Sequence, residues 1–369
     1  MAVQDSSRQR QLRNWLAQYL GEIPRDGLVP ASSDASFRRY YRLTLGDDGV
    51  LPSGGLRGTA PWRVQGTPSS VILMDAPPPQ EDLGRFVTLA RRLRTLGLHV
   101  PQIYAADLTL GFAMVSDLGP TTYLAALKSD PRTVGPLYDA AIDALVSLQC
   151  APPEFTAALP AYDEALLRRE LSTLEDWYLQ HHLRLPAACH APVLHPAGEQ
   201  LVAYALAQAP VAVHRDYHSR NLMCSEPLPG VVDFQDMVRG APAYDLASLL
   251  RDCYLELPIA FQQRCLRRYQ EGIDAQARGR ASVPSLEALG EQVDWAAIQR
   301  HLKVLGIFAR LYYRDGRAEY LQYLPRVRAY LIDACARHRA FKALGELIAN
   351  LGAEDDAAVA RVRREESAS

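Results

Sequence analysis

Apolar residues recur at helical spacing near the start of the chain. Leu12, Trp15, Leu16 and Leu20 fall on one face of residues 8–20 and predict an amphipathic helix. The period then changes. Leu28-Val29-Pro30, a Ser-Ser-Asp-Ala-Ser turn and the aromatic and branched residues of 37–45 read as strand, tight loop and strand. Ser70-Val71-Ile72-Leu73-Met74 has the continuous apolar run of a buried strand and is closed by Pro77-Pro78-Pro79. Before it, residues 46–70 are rich in Gly, Pro and Ser and read as an exposed hairpin insertion. Residues 81–96 return to the helical period, with Phe86, Leu89, Ala90, Leu93 and Leu96 on the apolar side and Gly97 as the stop. Residues 100–105 and 111–116 predict two further short strands. Beyond them helical patterns dominate, interrupted by short strands at 211–213 and 231–232.

This order predicts an α/β (α+β) chain of two lobes. The N-lobe, 1–117, is a small antiparallel sheet with a helix and the 46–70 insertion. The C-lobe, 118–353, is larger and helical. The charged, Ala-rich tail 354–369 is expected to fray.

Composition narrows the function classes. The 369 residues suffice for two domains, and a formal charge of -2 argues against a dedicated nucleic-acid binder. Cysteines at 150, 189, 224, 253, 265 and 335 form no CxxC pair, which speaks against zinc ribbons and redox motifs and fits a cytoplasmic enzyme with reduced thiols. No signal-peptide core or membrane-length apolar run is present, and no obligate protein partner is evident. His181 and His182 are adjacent, cannot share a helical face, and are expected on the surface.

The chemistry-bearing segment is His214-Arg215-Asp216-Tyr217-His218-Ser219-Arg220-Asn221, followed by Val231-Val232-Asp233-Phe234-Gln235. Phosphoryl transfer from a magnesium nucleotide needs a group to take the acceptor's proton and oxygen ligands to hold the metal against the phosphates. Asp216 is the candidate base. Asn221 offers an amide oxygen and Asp233 a charged oxygen to Mg2+, which binds hard oxygens and keeps room for phosphate and water. Either aspartate alone reads equally well as a loop cap beside a strand; the three in this order favour the chemistry.

On these residues the chain resembles the aminoglycoside-phosphotransferase and choline-kinase-like family, relatives of the protein kinases, from about residue 28 to about 335. His214-Arg215-Asp216 to Asn221 matches the catalytic loop, and Asp233-Phe234-Gln235 stands where protein kinases carry Asp-Phe-Gly. Tyr244-Asp245-Leu246-Ala247-Ser248 is similar to the helix start that follows. The resemblance implies a two-lobed protein-kinase-like fold using ATP and Mg2+, with Asp216 as base, Asn221 and Asp233 on the metal, and Asp245 steadying the loop. By position, Ser33 and Ser36 lie in the phosphate-covering loop, though those residues also suit a plain turn. Asp117 and Leu118 stand at the adenine hinge. The lysine expected on the third strand reads Met74, and no lysine precedes Lys128. Arg38 and Arg42 share a strand face and could supply the charge, or could simply be solvent-exposed. Glu81 matches the usual acidic partner, or is a helix N-terminal carboxylate.

More narrowly, Ser33 to Arg42, Leu73-Met74-Asp75-Ala76-Pro77-Pro78, Gly97-Leu98-His99-Val100-Pro101 and Gly306 to Gly316 resemble cell-wall amino-sugar kinases. That likeness implies transfer of the ATP γ-phosphoryl to the C1 hydroxyl of N-acetylmuramate or N-acetylglucosamine in peptidoglycan recycling. Tyr217, His218, Gln235, Asp236 and Arg239 offer an aromatic platform and polar groups for a sugar. Arg239 or Arg310 could take a lactyl carboxylate. The rival readings are a kinase of the same fold for an aminoglycoside, choline or homoserine-like acceptor, and a nucleotide-binding pseudokinase module. The absent lysine speaks for the latter and the intact trio against it. A protein kinase is disfavoured by the lack of an Ala-Pro-Glu segment.

Overall fold

The computed structural model describes residues 2–20, 27–33, 37–45, 69–277 and 284–367. Ser36, the side chain of Ser33 and nearly all of the expected 46–70 insertion lie outside the described residues. The chain divides into two compact units, Met1–Thr121 with Met223–Gln235, and Thr122–Leu222 with Asp236–Ser369. The boundary expected near residue 117 compares with Thr121 for the first unit, which also takes in the segment bearing Asp233. Short strands give little periodicity by which to assign it from the sequence.

The first unit contains α1 (Ala2–Leu20), β1 (Val29–Ser33), β2 (Arg39–Thr44), β3 (Ser70–Asp75), α2 (Leu83–Thr95), β4 (Ile103–Asp107) and β5 (Phe112–Ser116). The strands form one sheet in the order β1-β2-β3-β5-β4, every neighbouring pair antiparallel. Alternation along the strands sends Tyr41, Leu43, Val71, Leu73, Phe112 and Met114 to one face, where Leu12, Trp15 and Leu16 of α1 cover them. Arg8 pins α1 to the sheet by donating to Asp75 (2.8 Å) and to the Leu110 carbonyl (2.6 Å). Helix α2 buries Leu83, Phe86, Val87, Leu89, Ala90 and Leu93. It starts at Leu83 rather than 81, because Asp82 caps it by accepting from Arg85 N at 3.0 Å. Gly97, at φ 79, ends it as expected.

The second unit is mainly helical: α3 (Tyr123–Ser129), α4 (Val134–Gln149), α5 (Pro153–Ala157), α6 (Glu164–Thr173), a π-helical run over Leu174–Leu183, α7 (Ala191–Leu206), α8 (Ala243–Leu250), α9 (Ile259–Ala277), α10 (Leu286–Tyr313), α11 (Leu324–Arg337), α12 (Lys342–Asn350) and α13 (Gly352–Ser367). Two short antiparallel strands, β6 (Val211–Val213) and β7 (Val238–Gly240), carry the chain into and past the motif region. The 28-residue α10 runs through the core of this unit, with Ile298, Leu302, Leu305, Phe308 and Ala309 buried. Gly306 permits its close crossing with the end of α6: a Cβ there would meet the Thr173 carbonyl oxygen at 2.2 Å.

The tail expected to fray is helical. Asp355 has no exposed surface; His182 Nε2 lies 3.0 Å from one of its oxygens and Arg328 Nε 3.1 Å from the other. Arg361 donates to the His182 carbonyl at 2.7 Å. His182 is therefore a buried latch and not the surface residue that its neighbour His181 is. Among the described residues all six cysteines are free thiols. Asp355→Ala leaves His182 without its buried carboxylate and Arg328 with only the exposed Asp356. It is expected to lower the free energy of unfolding by about 3 kcal/mol, read as a lower denaturant midpoint.

Candidate active site

In the second unit, β6 ends at Val213 and the chain turns sharply. Arg215 adopts φ 77, a left-handed conformation that a β-carbon disfavours. Asp245, in the first turn of α8, holds it there by accepting from His214 N (2.7 Å) and Arg215 N (2.9 Å). Burial pushes the Asp245 carboxyl up to about 6, the His214 and Arg215 contacts resisting it. It steadies the loop as expected but does not cap α8, whose N-cap position is Pro242 with no side-chain cap bond. Asp252, also fully buried, accepts from Ser219 N (2.9 Å) and Tyr254 N (2.8 Å) and fixes the far end of the loop.

Asp216 follows the strained residue, with 42% of its side chain exposed. Asn221 donates its amide N–H to the Asp216 carbonyl at 3.0 Å, which fixes the orientation of its amide group beside the base. The structure thus brings these two sequence-predicted residues together within one unit. Partial desolvation opposes the charge of Asp216, but Lys303, His218, Arg300 and Arg215 outweigh it and hold the carboxyl below the usual range. Arg300 reaches from α10 to 3.9 Å from Asp216 Oδ1 while donating to Cys253 Sγ at 3.4 Å. Lys303, one turn on, donates to Glu170 (2.9 Å), which also receives the Arg215 guanidinium and the Tyr162 hydroxyl. Sequence reading missed Arg300, Lys303 and Glu170. They lie on α6 and α10, and only the fold relates them to the motif.

The substrate candidates separate. Tyr217 is almost wholly buried and donates from its hydroxyl to the Ala141 carbonyl at 2.7 Å, so it is a packing residue and not a sugar platform. His218 is buried too, edge-on to Tyr254 at 5.3 Å. Burial pulls its imidazole down to about 4, Asp252 opposing and Arg300 assisting, so it is neutral at pH 7. Asp236 and Arg239 are exposed, and the Arg239 backbone is occupied by Tyr162 N and the Pro160 carbonyl. Arg310 is half-buried near the end of α10, its charge opposed by burial and by Arg314.

In the first unit, Asp233 also has a left-handed backbone, φ 63. Gln235 donates to its Oδ1 at 2.6 Å, so Gln235 orients this carboxylate. Phe234 stacks on Phe86 of α2, ring centroids 5.1 Å apart. Arg38, just before β2, donates to Glu81 at 2.8 Å and places its NH1 3.8 Å from Asp233 Oδ1. Arg42 does not join it. Its guanidinium makes a bidentate pair with Asp117 (2.6 and 3.0 Å), whose carboxylate also accepts from Ser70 and from Gly119 N. The exposed-arginine reading of these positions is excluded, and the Asp117 side chain serves to lock the 117–119 turn. Leu118 is buried, and so is Met74, at the position where a lysine would be expected.

Asp233 in the first unit carries a carboxylate and Asn221 in the second an amide oxygen, each a donor type that hard cations take. Among the described residues no group of three His, Cys, Asp or Glu side chains gathers as a self-sufficient metal site, and no helix is long and apolar enough to cross a membrane.

The comparisons with known proteins agree with this geometry. Residues 27–283 match the model of the phosphotransferase enzyme family. An N-acetylmuramate/N-acetylglucosamine kinase of Pseudomonas aeruginosa is 43% identical, the match covering 95% of this chain and 100% of the relative. The protein of the same name from Neisseria meningitidis is 36% identical, over 95% of this chain and 97% of its own. Among solved structures, a choline kinase from Streptococcus pneumoniae superposes with a TM-score of 0.56 at 14% identity, covering 88% of this chain and 99% of that one. An ADP-bound aminoglycoside phosphotransferase gives 0.53 at 16% identity, over 86% and 96%. These likenesses bear out the two-lobed kinase-like fold and the kinase activity read from the motif. The chain belongs to the phosphotransferase enzyme family.

Proposed function

We propose that the chain transfers the γ-phosphoryl group of ATP to the anomeric C1 hydroxyl of N-acetylmuramate and N-acetylglucosamine, giving sugar 1-phosphates that serve cell-wall recycling. The observation that carries this reading is the 43% identity to the Pseudomonas aeruginosa kinase across essentially the whole of both chains. The charge around Asp216 supports it. The neighbours are Arg300, Lys303 and Arg215, a setting hostile to the cationic choline or aminoglycoside acceptors of the structural relatives and suited to a neutral or anionic sugar.

Asp216 would orient the C1 hydroxyl and accept its proton as the O–P bond forms and the bond to ADP breaks. Asn221 and Asp233 are the proposed ligands of Mg2+, which when bound supplies charge neutralisation on the phosphates. Arg38 is the proposed phosphate contact in place of the lysine, steered by Glu81. The backbone of Asp117 and Leu118 is the proposed adenine seat, Ser33 and Ser36 the proposed phosphate-loop donors, and Gln235 a positioning residue for Asp233. A neutral His218 is suited to a sugar hydroxyl and not to a second base.

Purified protein with ATP, Mg2+ and N-acetylmuramate is expected to yield the sugar 1-phosphate; product from an authentic kinase control but none from this chain rejects the substrate assignment. Asp216→Asn is expected to lower kcat by about 10²- to 10⁴-fold with an unchanged melting curve. Arg38→Met is expected to lower kcat/KM for ATP by about 10- to 100-fold, the worth of one charge-assisted contact, and leave the sugar's KM little changed.

The acid limb has a definite sign. The base must be ionised, and its pKa is depressed, so kcat/KM is expected to stay level on acidification from pH ~8 to ~6. Arg300→Met removes a cation that favours the ionised form, raises the pKa of Asp216, and is expected to shift the limb to higher pH. Asp216 is partly exposed, so this variant strands no buried carboxylate. A pH–rate profile of both proteins measures it.

A further inference from the structure

Arg220 stands immediately before Asn221 in the catalytic loop and takes no part in the chemistry so far described. Its guanidinium lies over the ring of Tyr254 (4.8 Å to the centroid) and the ring of Tyr320 (5.2 Å), and NH1 donates to the Tyr320 hydroxyl at 2.9 Å. Tyr254 packs in turn on Tyr323 and on the edge of His218. Other arginines lodged in this unit meet carboxylates: Arg215 with Glu170, Arg251 with Asp294, Arg328 with Asp355, and Arg300 near Asp216. Among the described residues no carboxylate lies within ion-pair distance of Arg220.

A guanidinium withdrawn from water against aromatic rings without a counter-charge forgoes solvation that the rings only partly replace. That deficit is recovered when an anion arrives. NH1 is engaged by the Tyr320 hydroxyl, and a guanidinium carries its other donors in its own plane, in the paired arrangement that matches a carboxylate. His218, two residues past the proposed base, packs edge-on to the same Tyr254 ring that Arg220 covers, so the guanidinium and the loop beside the base share one aromatic neighbour. His218 Nδ1 has no hydrogen-bond partner among the described residues. Of the earlier carboxylate candidates, Arg239 is exposed on β7 and Arg310 starts ten residues beyond Arg300 on α10, whereas Arg220 is in the loop that bears Asp216.

We infer that Arg220, held between Tyr254 and Tyr320, recognises the carboxylate of an acidic amino sugar and sets the preference of the acceptor site for that sugar over its neutral counterpart. This rests on the amino-sugar reading given above. Tyr320 is then a positioning residue, holding the guanidinium in line through its hydroxyl.

The test compares full-length wild type, Arg220→Gln, Arg220→Lys and Tyr320→Phe on N-acetylmuramate, its neutral methyl ester and N-acetylglucosamine, by ADP release. The readout is the ratio of kcat/KM for the acid to kcat/KM for each neutral sugar, which cancels any loss of folded enzyme. Arg220→Gln is expected to lower that ratio by about 10- to 100-fold, chiefly through KM for the acid, and Arg220→Lys to restore part of it. Tyr320→Phe is expected to lower it by a smaller factor. The ester tests the same contact from the substrate side: wild type is expected to treat it like N-acetylglucosamine. An unchanged ratio in Arg220→Gln, or an ester used as well as the acid by wild type, overturns the assignment and leaves the sugar-kinase reading standing. Failure of wild type on all three sugars overturns both.

Discussion

Asp245 has no exposed surface, and its two oxygens accept from successive backbone N–H groups, those of His214 and Arg215. A left-handed backbone at a residue with a β-carbon costs roughly 1 kcal/mol or more, so Arg215 does not hold φ 77 unaided. Hydrogen bonds to a charged acceptor contribute about 1.5–3 kcal/mol each, enough to over-determine that conformation. The direction in which Asp216 leaves the chain follows from it, and so does the carbonyl to which Asn221 donates. Ser248 adds a third tie from the same helix, donating to the Arg215 carbonyl at 3.3 Å. The reactive pair is thus fixed by the first turns of α8, with Asp252 repeating the device at Ser219. The rigidity of helix termini is thereby transferred to a loop.

The loop's side chains require a second form of support. Arg215 would be an unpaired buried cation without Glu170, and Glu170 would be over-neutralised by Arg215 and Lys303 together if Asp216 were not nearby. Lys303 and Arg300 sit three residues apart on α10, so one helix presents two cations toward the same carboxylates. The arrangement is a compensated network in which the base is the most solvent-exposed acidic member. Its charge is stabilised from behind while its outer surface stays open to an acceptor. In the proposed reading, the cations that keep the base ionised would also disfavour a cationic acceptor beside it.

What could be read from the chain follows from how locally each feature is encoded. Asp216, Asn221 and Asp233 could be singled out because the chemistry proposed for them demands particular oxygen-bearing residues at short spacing, and the structure places Asp216 and Asn221 together. The amphipathic stripes of α1 and α2 were legible because period alone defines them. Arg300 and Lys303 were not, since in sequence they are polar positions within a long helix and acquire meaning only where α10 passes the loop. Tyr217 was misjudged because nearness to a base along the chain says nothing of direction: successive loop side chains diverge, and this one enters the core to meet Ala141. The latch on His182 was hidden for a related reason, its partner Asp355 lying 173 residues further along. Arg42 illustrates the limit of strand alternation. The pattern gave the face it shares with Arg38, but not that Asp117, at the end of another strand, would claim it.

The missing lysine is resolved by where the charge reappears. On β3, Met74 is paired with Tyr40 across the ladder and its side chain is part of the core, so an ammonium there would be desolvated without a partner. The cation proposed to take its place is Arg38, beside the adjoining strand, where Glu81 binds one edge of the guanidinium and Asp233 lies within reach of another. An ammonium could not span those two acids in fixed geometry, whereas a planar fork can. Glu81 can hold this position because it precedes α2 and is spared from capping, that task falling to Asp82. A lysine absent from β3 therefore need not mark an inert nucleotide-binding module in this chain: a cation held by an acid, the Arg38–Glu81 pair proposed for that role, is present on different elements.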